Sequence, residues 1–282
     1  MKQKSIVSVL FAGLALMLAC QPKQQQVEQT EQKRPNIWIE DSGEVFTDSL
    51  LHQAELGIDS AQFKVSKCYL LGHGIDADEH KAFEWMKKSA EQGYYKAQTG
   101  MGIYYNIGVG VDSDKTQAIE WFKKAIEQGE PKAMSNLAGV YYDLEDYELA
   151  KEWLMKALKM DSENSVTMSC MSALYFKQEK YDSAWYWANE AAKRDCSFAF
   201  YQIAGFYYYG HGTVEKNHEE AMKWTAKAAE KNLSIAQYQL GLAYDYGDGV
   251  PQDHEKALYW IRKAADNGLQ EAKDKLKEME KN

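Results

Sequence analysis

The sequence predicts an all-α fold built from stacked helix-turn-helix units, and three observations carry that prediction. A block beginning at an alanine recurs along the chain, with a step of 36 residues from Ala61 to Ala97. Within each block, apolar residues return three and four positions apart, which places them on one face of a helix. No stretch alternates apolar and polar residues as a half-buried strand would.

Residues 1–19 read as an export signal. Lys2 and Lys4 precede an apolar run from Ile6 to Leu18 that is too short to span a bilayer comfortably. The Ala19–Cys20 pair that follows resembles the bacterial lipoprotein cleavage motif, in which the cysteine becomes the acylated first residue. The resemblance implies a lipid on Cys20 and a place in the bacterial cell envelope, facing the periplasm or the cell surface. Glutamine rather than aspartate at position 21 favours the outer membrane. An ordinary signal peptide is the alternative, and either reading exports the chain. Residues 20–35 contain "QPKQQQVEQTEQKRP", with one aliphatic residue and no aromatic, and read as a flexible tether.

Residues 36–60 lead into the repeats and end in a capping helix. Its alanine-to-glycine pattern, "DSLLHQAELGIDSA" from Asp48, places Gly57 four residues before Ala61, just as Gly93 precedes Ala97. Six units then follow, at 61–96, 97–132, 133–166, 167–198, 199–235 and 236–268. Four of them carry a glycine pair where the first helix stops: Gly72/Gly74, Gly108/Gly110, Gly210/Gly212 and Gly247/Gly249. Glycine suits that place because it takes positive φ at little cost. Asp78, Asp114 and Asp253 follow, placed to cap the second helix. The two middle units lack the bend; Tyr141, Ala150, Trp153 and Ala157 reappear in the next as Tyr175, Ala184, Trp187 and Ala191. Residues 269–282, with Ala272, Leu276 and Met279 on one stripe of a charged segment, form a C-terminal capping helix. No unit can hide its apolar face alone, so neighbours must cover one another.

The bend "YGDGVPQD" is not a ligand loop. A phosphate loop needs a preceding strand and a Gly-Lys-Ser/Thr ending, and a calcium loop needs acids at alternate positions and a twelfth-position glutamate.

The unit starting at Ala236 carries Leu240, Gly241, Tyr244, Gly247, Gly249, Val250, Asp253, Lys256, Ala257, Trp260, Lys263, Ala264, Ala265 and Gly268. This pattern resembles the Sel-1-like repeat, and the two middle units are closer to the related tetratricopeptide repeat. The resemblance implies a right-handed α-solenoid whose first helices line a concave groove, and a non-catalytic role in holding a protein or peptide partner.

Charge excludes some partners. The chain has 33 basic and 42 acidic residues, a net charge of −9, and loss of Lys2 and Lys4 with the signal would bring it to −11. With no basic cluster interleaved with aromatics, nucleic acid is not a partner, and membrane contact is left to the lipid anchor. Beyond Cys20, Cys68, Cys170 and Cys196 remain. Cys170 with Cys196 is the candidate disulfide, and buried thiols are the other reading.

Metal, cofactor and catalytic sites are not expected. His73 and His80, and likewise His211 and His218, flank a flexible glycine bend without a third ligand, while His52 and His254 stand alone, so all six read as surface residues. No Gly-x-Ser-x-Gly, Ser-x-x-Lys or His-Glu-x-x-His motif occurs. Some cysteine-rich relatives of the repeat are linked to antibiotic hydrolysis, but their paired cysteines are missing. Trp85, Trp121, Trp153, Trp187, Trp224 and Trp260 share one unit position and read as packing inside the second helix.

A candidate partner surface comes from aromatics the repeat does not require. If offsets 0, 4 and 8 from each starting alanine face the core, offsets 2, 9 and 10 point away, into the groove. Early units hold Phe63, Leu70 and Leu71, then Thr99, Asn106 and Ile107. Later ones hold Tyr142, Asp143, Phe176, Tyr201, Tyr208, Tyr209, Tyr238, Asp245 and Tyr246. Such an aromatic, acid-edged groove suits an extended peptide or a helix with basic residues. Rings that merely fill space between units are the competing reading. A structural assembly factor of an envelope complex, using other faces, and a small-substrate hydrolase are the alternative functions.

Overall fold

Residues 45–280 are described in a computed structural model, and they contain fourteen helices and no strand. The expected signal (1–19), the lipid site at Cys20, the tether (20–35) and residues 36–44 lie outside the described residues. The helices fall into two compact units, divided after Asp161.

In the first unit, α1 (Asp48–Glu55) packs on α2 (Asp59–Leu71), and antiparallel pairs follow: α2 with α3 (Glu79–Glu91), α4 (Tyr95–Ile107) with α5 (Lys115–Glu127), and α6 (Pro131–Asp143) with α7 (Tyr147–Met160). In the second, α8 (Ser165–Lys177) pairs with α9 (Tyr181–Ala192), α10 (Ser197–Tyr209) with α11 (His218–Glu230), and α12 (Ser234–Tyr246) with α13 (His254–Asp266). There α14 (Gln270–Met279) closes the row against α13.

The helices stop and start where local chemistry dictates. Gly108 caps α4 in the left-handed region at φ 80°, and its N–H and that of Val109 both donate to the Tyr104 carbonyl. Asp114 then accepts the N–H groups of Thr116 (2.8 Å) and Gln117 (3.0 Å) at the start of α5. Asp78 and Asp253 do the same for Lys81 and Lys256, and those backbone hydrogen bonds hold both carboxyls below their ordinary pKa.

The second glycine of the bend has a different task. A Cβ on Gly110 would fall 2.2 Å from the carbonyl oxygen of Glu79, and one on Gly249 would fall 2.4 Å from that of His218. Each bend therefore rests directly on the first turn of the preceding hairpin's second helix, at a separation that only glycine permits.

A buried glutamine joins successive hairpins. Gln62 donates to the Ala54 carbonyl (3.0 Å) and accepts from Gln92 (2.6 Å), while Gln98 donates to Ala90 (3.5 Å) and accepts from Gln128 (2.7 Å). Gln237, fully buried, donates to Ala229 (3.1 Å) and accepts from Asn267 (2.7 Å). Each clasp ties the end of one second helix to the next hairpin and satisfies an amide that would otherwise be costly to bury.

Apolar side chains fill the space between helices. Met86, Met101, Tyr104, Phe122 and Leu137 are fully covered in the first unit, and Met171, Ile203, Phe206, Met222 and Leu240 in the second. The Tyr104 hydroxyl lies 3.2 Å from Ser66 Oγ, which donates to the Ala82 carbonyl, and burial pushes the phenol's pKa up.

Two expectations are corrected here, and a third is refined. Cys196 carries a free buried thiol, so the Cys170–Cys196 disulfide does not form; burial raises the Cys196 pKa. The tryptophans do pack as expected, with Trp121 buried and Trp85 and Trp153 against the core, though all but Trp121 are only half-buried. In five of the six, a lysine three residues on lays its ammonium over the ring, at 3.8 Å for Lys227 over Trp224 and 5.1 Å for Lys263 over Trp260. The histidines are not all surface residues, because His211 and His218 are partly buried among aromatic rings.

Candidate functional site

The residues that the sequence offsets single out fall in both units. In the first, Tyr142 is half-buried at the end of α6, its ring 5.8 Å from that of Tyr147. Burial is the main cause of its raised pKa, with Tyr147 and Asp143 adding to it. Asp143 is exposed but not unopposed: Lys115 Nζ reaches its Oδ2 at 2.7 Å and donates to Asn106 Oδ1 at 2.6 Å.

The second unit holds the rest. Phe176, at the end of α8, lies edge-on to Tyr181, Phe206 and His211, with centroids 5.0–5.4 Å apart, and His211 stacks on Tyr181 at 4.8 Å. Desolvation in this cluster pushes the His211 pKa down. Tyr209 is half-buried beside His211 (5.6 Å), and burial pushes its phenol up to about 12.

Tyr208 has turned inward. Its hydroxyl donates to Asp248 Oδ2 at 2.7 Å, its ring stacks on His218 at 4.2 Å, and His218 Nδ1 meets the other oxygen of Asp248 at 2.5 Å. Asp248 is the central acid of the last glycine bend, so the carboxylate fastens that bend to the hairpin before it. Tyr201 is buried with its hydroxyl toward Gln239, and burial raises its pKa. Tyr238 is buried as well and pushed up to about 12, with Lys275 and Glu271 of α14 in its field.

The accessible end of this face is Tyr246, 49% exposed. Lys275 lies 5.7 Å from its ring and 3.5 Å from Asp245, which His254 also meets at 3.0 Å. Burial opposes the charge on Lys275, but Tyr246, Asp245 and Glu278 outweigh it and raise the ammonium's pKa.

The difference from the offset reading has a geometric cause. A first helix in the row is backed by its own second helix and also flanked by neighbouring first helices. Offsets 2 and 9 are therefore covered wherever a neighbour reaches them. Tyr201, Tyr208 and Tyr238 are buried in this way, while Tyr142, Phe176, Tyr209 and Tyr246 keep part of their surface. The Asp248 fastening was not anticipated, although an acid between two glycines opposite a histidine thirty residues earlier was there to be read. Among the described residues, no three His, Cys, Asp or Glu side chains converge, and no helix is long and apolar enough to cross a membrane.

Comparison with solved structures returns helical repeat proteins. One is c5321, a protective antigen of uropathogenic Escherichia coli with an SLR fold. It is 29% identical over 83% of this chain and 51% of its own, with a TM-score of 0.53. The chain thus spans about half that protein's length. The immunity protein Pa5087 of Pseudomonas aeruginosa, 18% identical over 75% of this chain and 84% of its own, shares the fold at a TM-score of 0.54. So does the APC/C hetero-tetramer Cut9–Hcn1, 12% identical over 82% of this chain and 46% of that one, also at 0.54.

No curated protein matches the sequence. The family model for the Sel1 repeat matches five stretches, at residues 59–94, 96–130, 131–162, 198–233 and 234–269. Repeats of this kind generally serve as non-catalytic scaffolds for protein–protein contact. The matched stretches take in more than half of the residues and coincide with the helix pairs and glycine bends described above, and the chain belongs to the Sel1 repeat family.

Proposed function

We propose that this protein is a non-catalytic adaptor of the bacterial cell envelope. In this reading it is held to the membrane by a lipid on Cys20 and captures a protein or peptide partner on its first-helix faces. The observation that supports partner capture is the set of aromatic rings left accessible at the ends of those helices, with Tyr246 and Tyr209 foremost in the second unit. Tyrosine offers a rigid apolar face and one polar tip, so it gives contact area at little entropic cost.

The acids at this edge act less directly. Lys115 already holds Asp143, and Lys275 with His254 holds Asp245, so a basic partner would have to displace an internal cation. Ring contact therefore contributes most of the affinity, and charge contributes register. Surfaces of this size give a Kd on the order of micromolar, about −8 kcal/mol.

The lipid anchor raises the effective concentration of a partner confined to the same membrane. Cys20 following an apolar run supports the anchor, and Gln21 after it supports the outer membrane.

The test is capture from native envelopes by the parent chain and by the Tyr209→Ala/Tyr246→Ala variant, with mass spectrometry of the bound proteins. Loss of specific partners at unchanged helicity is expected; an identical set of bound proteins would dismiss these faces. Radiolabelled palmitate incorporated into the parent but not into Cys20→Ala checks the anchor.

A further inference from the structure

One joint of the second unit lacks the glutamine clasp. The position that holds Gln62, Gln98 and Gln237 in the clasped hairpins, and Met134 and Met168 in the two middle ones, is Phe200 in the hairpin of α10 and α11. The clasp's second partner, the residue that ends the second helix (Gln92, Gln128 or Asn267), is Lys231 there. The carbonyl that would take the glutamine amide belongs to Ala192, eight residues before Phe200; it accepts the Asp195 N–H at 3.0 Å but receives no glutamine.

The exchange opens space. Phe200 tilts against Trp224 with centroids 5.7 Å apart, and Lys231 turns away to Asp195. An open surface depression of about 500 Å³ lies between, with Ala192, Phe200 and Trp224 in its lining and Lys193, Lys227 and Lys231 around them. That volume lies within the range of about 300–1,000 Å³ usual for ligand sites.

Its charge runs against that of the chain. Three lysines face two acids, Asp195 and Glu230, in a protein with 33 basic and 42 acidic residues. Lys193 is engaged by Glu190 and Lys231 by Asp195. Lys227 makes no ion pair among the described residues; its ammonium lies 3.8 Å from the Trp224 ring centroid.

We propose that this depression is a second binding site, separate from the first-helix faces, for an acidic and apolar segment of a protein partner. An apolar side chain lies on Phe200 and Trp224, a neighbouring carboxylate meets Lys227, and a backbone N–H of the segment donates to the Ala192 carbonyl in place of the missing glutamine. Each group of the depression then gains the partner its chemistry calls for.

The test uses the full chain and a fluorescein-labelled Leu-Asp-Leu-Asp-Leu peptide followed by fluorescence anisotropy. The parent should bind it saturably and bind the Leu-Lys-Leu-Lys-Leu counterpart at least tenfold more weakly. Lys227→Glu, at an exposed position, should weaken binding at least tenfold. Phe200→Gln with Lys231→Asn, which restores the clasp and closes the depression, should abolish it. Tyr209→Ala/Tyr246→Ala should leave it unchanged, which separates this site from the first-helix faces. Absence of saturable binding to the parent, equal binding of the two peptides, or unchanged affinity in Lys227→Glu would overturn the proposal.

Discussion

The hairpins with a glycine bend and those without it solve the same problem at different cost. Around α4 and α12, the first glycine ends the helix and the second lets the bend rest on the hairpin before it. Between α6 and α7, and between α8 and α9, a shorter turn does the work, and the positive φ falls on Glu145 (61°) and Glu179 (59°). A non-glycine residue there carries steric strain, and the short turn also gives up the extra contact that the second glycine makes. The comparison teaches that the glycine pair serves two needs, of which only the first is conformational.

The largest effect should come from breaking the seat itself. Gly110→Ala would drive a methyl group into the backbone of Glu79, which no side-chain rotation relieves, in addition to straining a φ of 63°. A loss of at least about 3 kcal/mol is expected, because backbone must shift in a packed joint. Urea unfolding, with hydrogen exchange to localise the damage, measures it. Gly93→Ala is the control that sharpens the contrast: nothing lies within 4 Å of the added methyl group, so only the φ of 93° is strained. It should cost about 1 kcal/mol.

Next in size is the clasp. Gln237→Ala removes the amide donor to Ala229 and the acceptor for Asn267 in a fully buried place, and about 1–3 kcal/mol should be lost. Double substitution with Asn267→Ala should cost less than the sum of the two single changes. In the opposite direction, Glu179→Gly places a permissive residue at positive φ and should stabilise by a few tenths to about 1 kcal/mol, read as a higher urea midpoint.

The smallest effect should be a pH dependence from His211. Burial lowers its folded pKa below the unfolded value, so the unfolded chain binds the extra proton first. Stability is therefore full above the ordinary imidazole range and falls as pH drops from there toward the lowered folded value. Comparing unfolding midpoints at pH 7.5 and 5.5 in the parent and in His211→Phe, which removes the titration, isolates the contribution. An unchanged difference between the two pH values in the variant would assign the effect elsewhere.

Much of this architecture is legible in the sequence because helical spacing and glycine punctuation are local signals. The recurrence of Ala236, Leu240 and Tyr244, the cap at Asp253 and the stop at Gly247 are each read within a dozen residues. What escapes is set by neighbours in space. The burial of Tyr201 and Tyr238 depends on the helix beside each, and the role of Asp248 on a histidine thirty residues away. The Lys227 cover on Trp224 is a spacing of three that the sequence shows but whose geometry it does not. Likewise, Gln62, Gln98 and Gln237 look like ordinary polar residues until their amides are traced across a joint.

The seat of each bend also gives the row a direction. Within the second unit, the bend at Gly249 shields the first turn of α11, including the carbonyl of His218 and the side chain of Met222, and nothing in the α10/α11 hairpin itself can replace that shield. Stripping α12 to α14 would lay this helix start bare to water and proteases, whereas trimming α8 and α9 would spare it. Erosion of this unit should therefore progress from its carboxyl end inward, one hairpin at a time, and the charged α14 is the bolt that has to be drawn first.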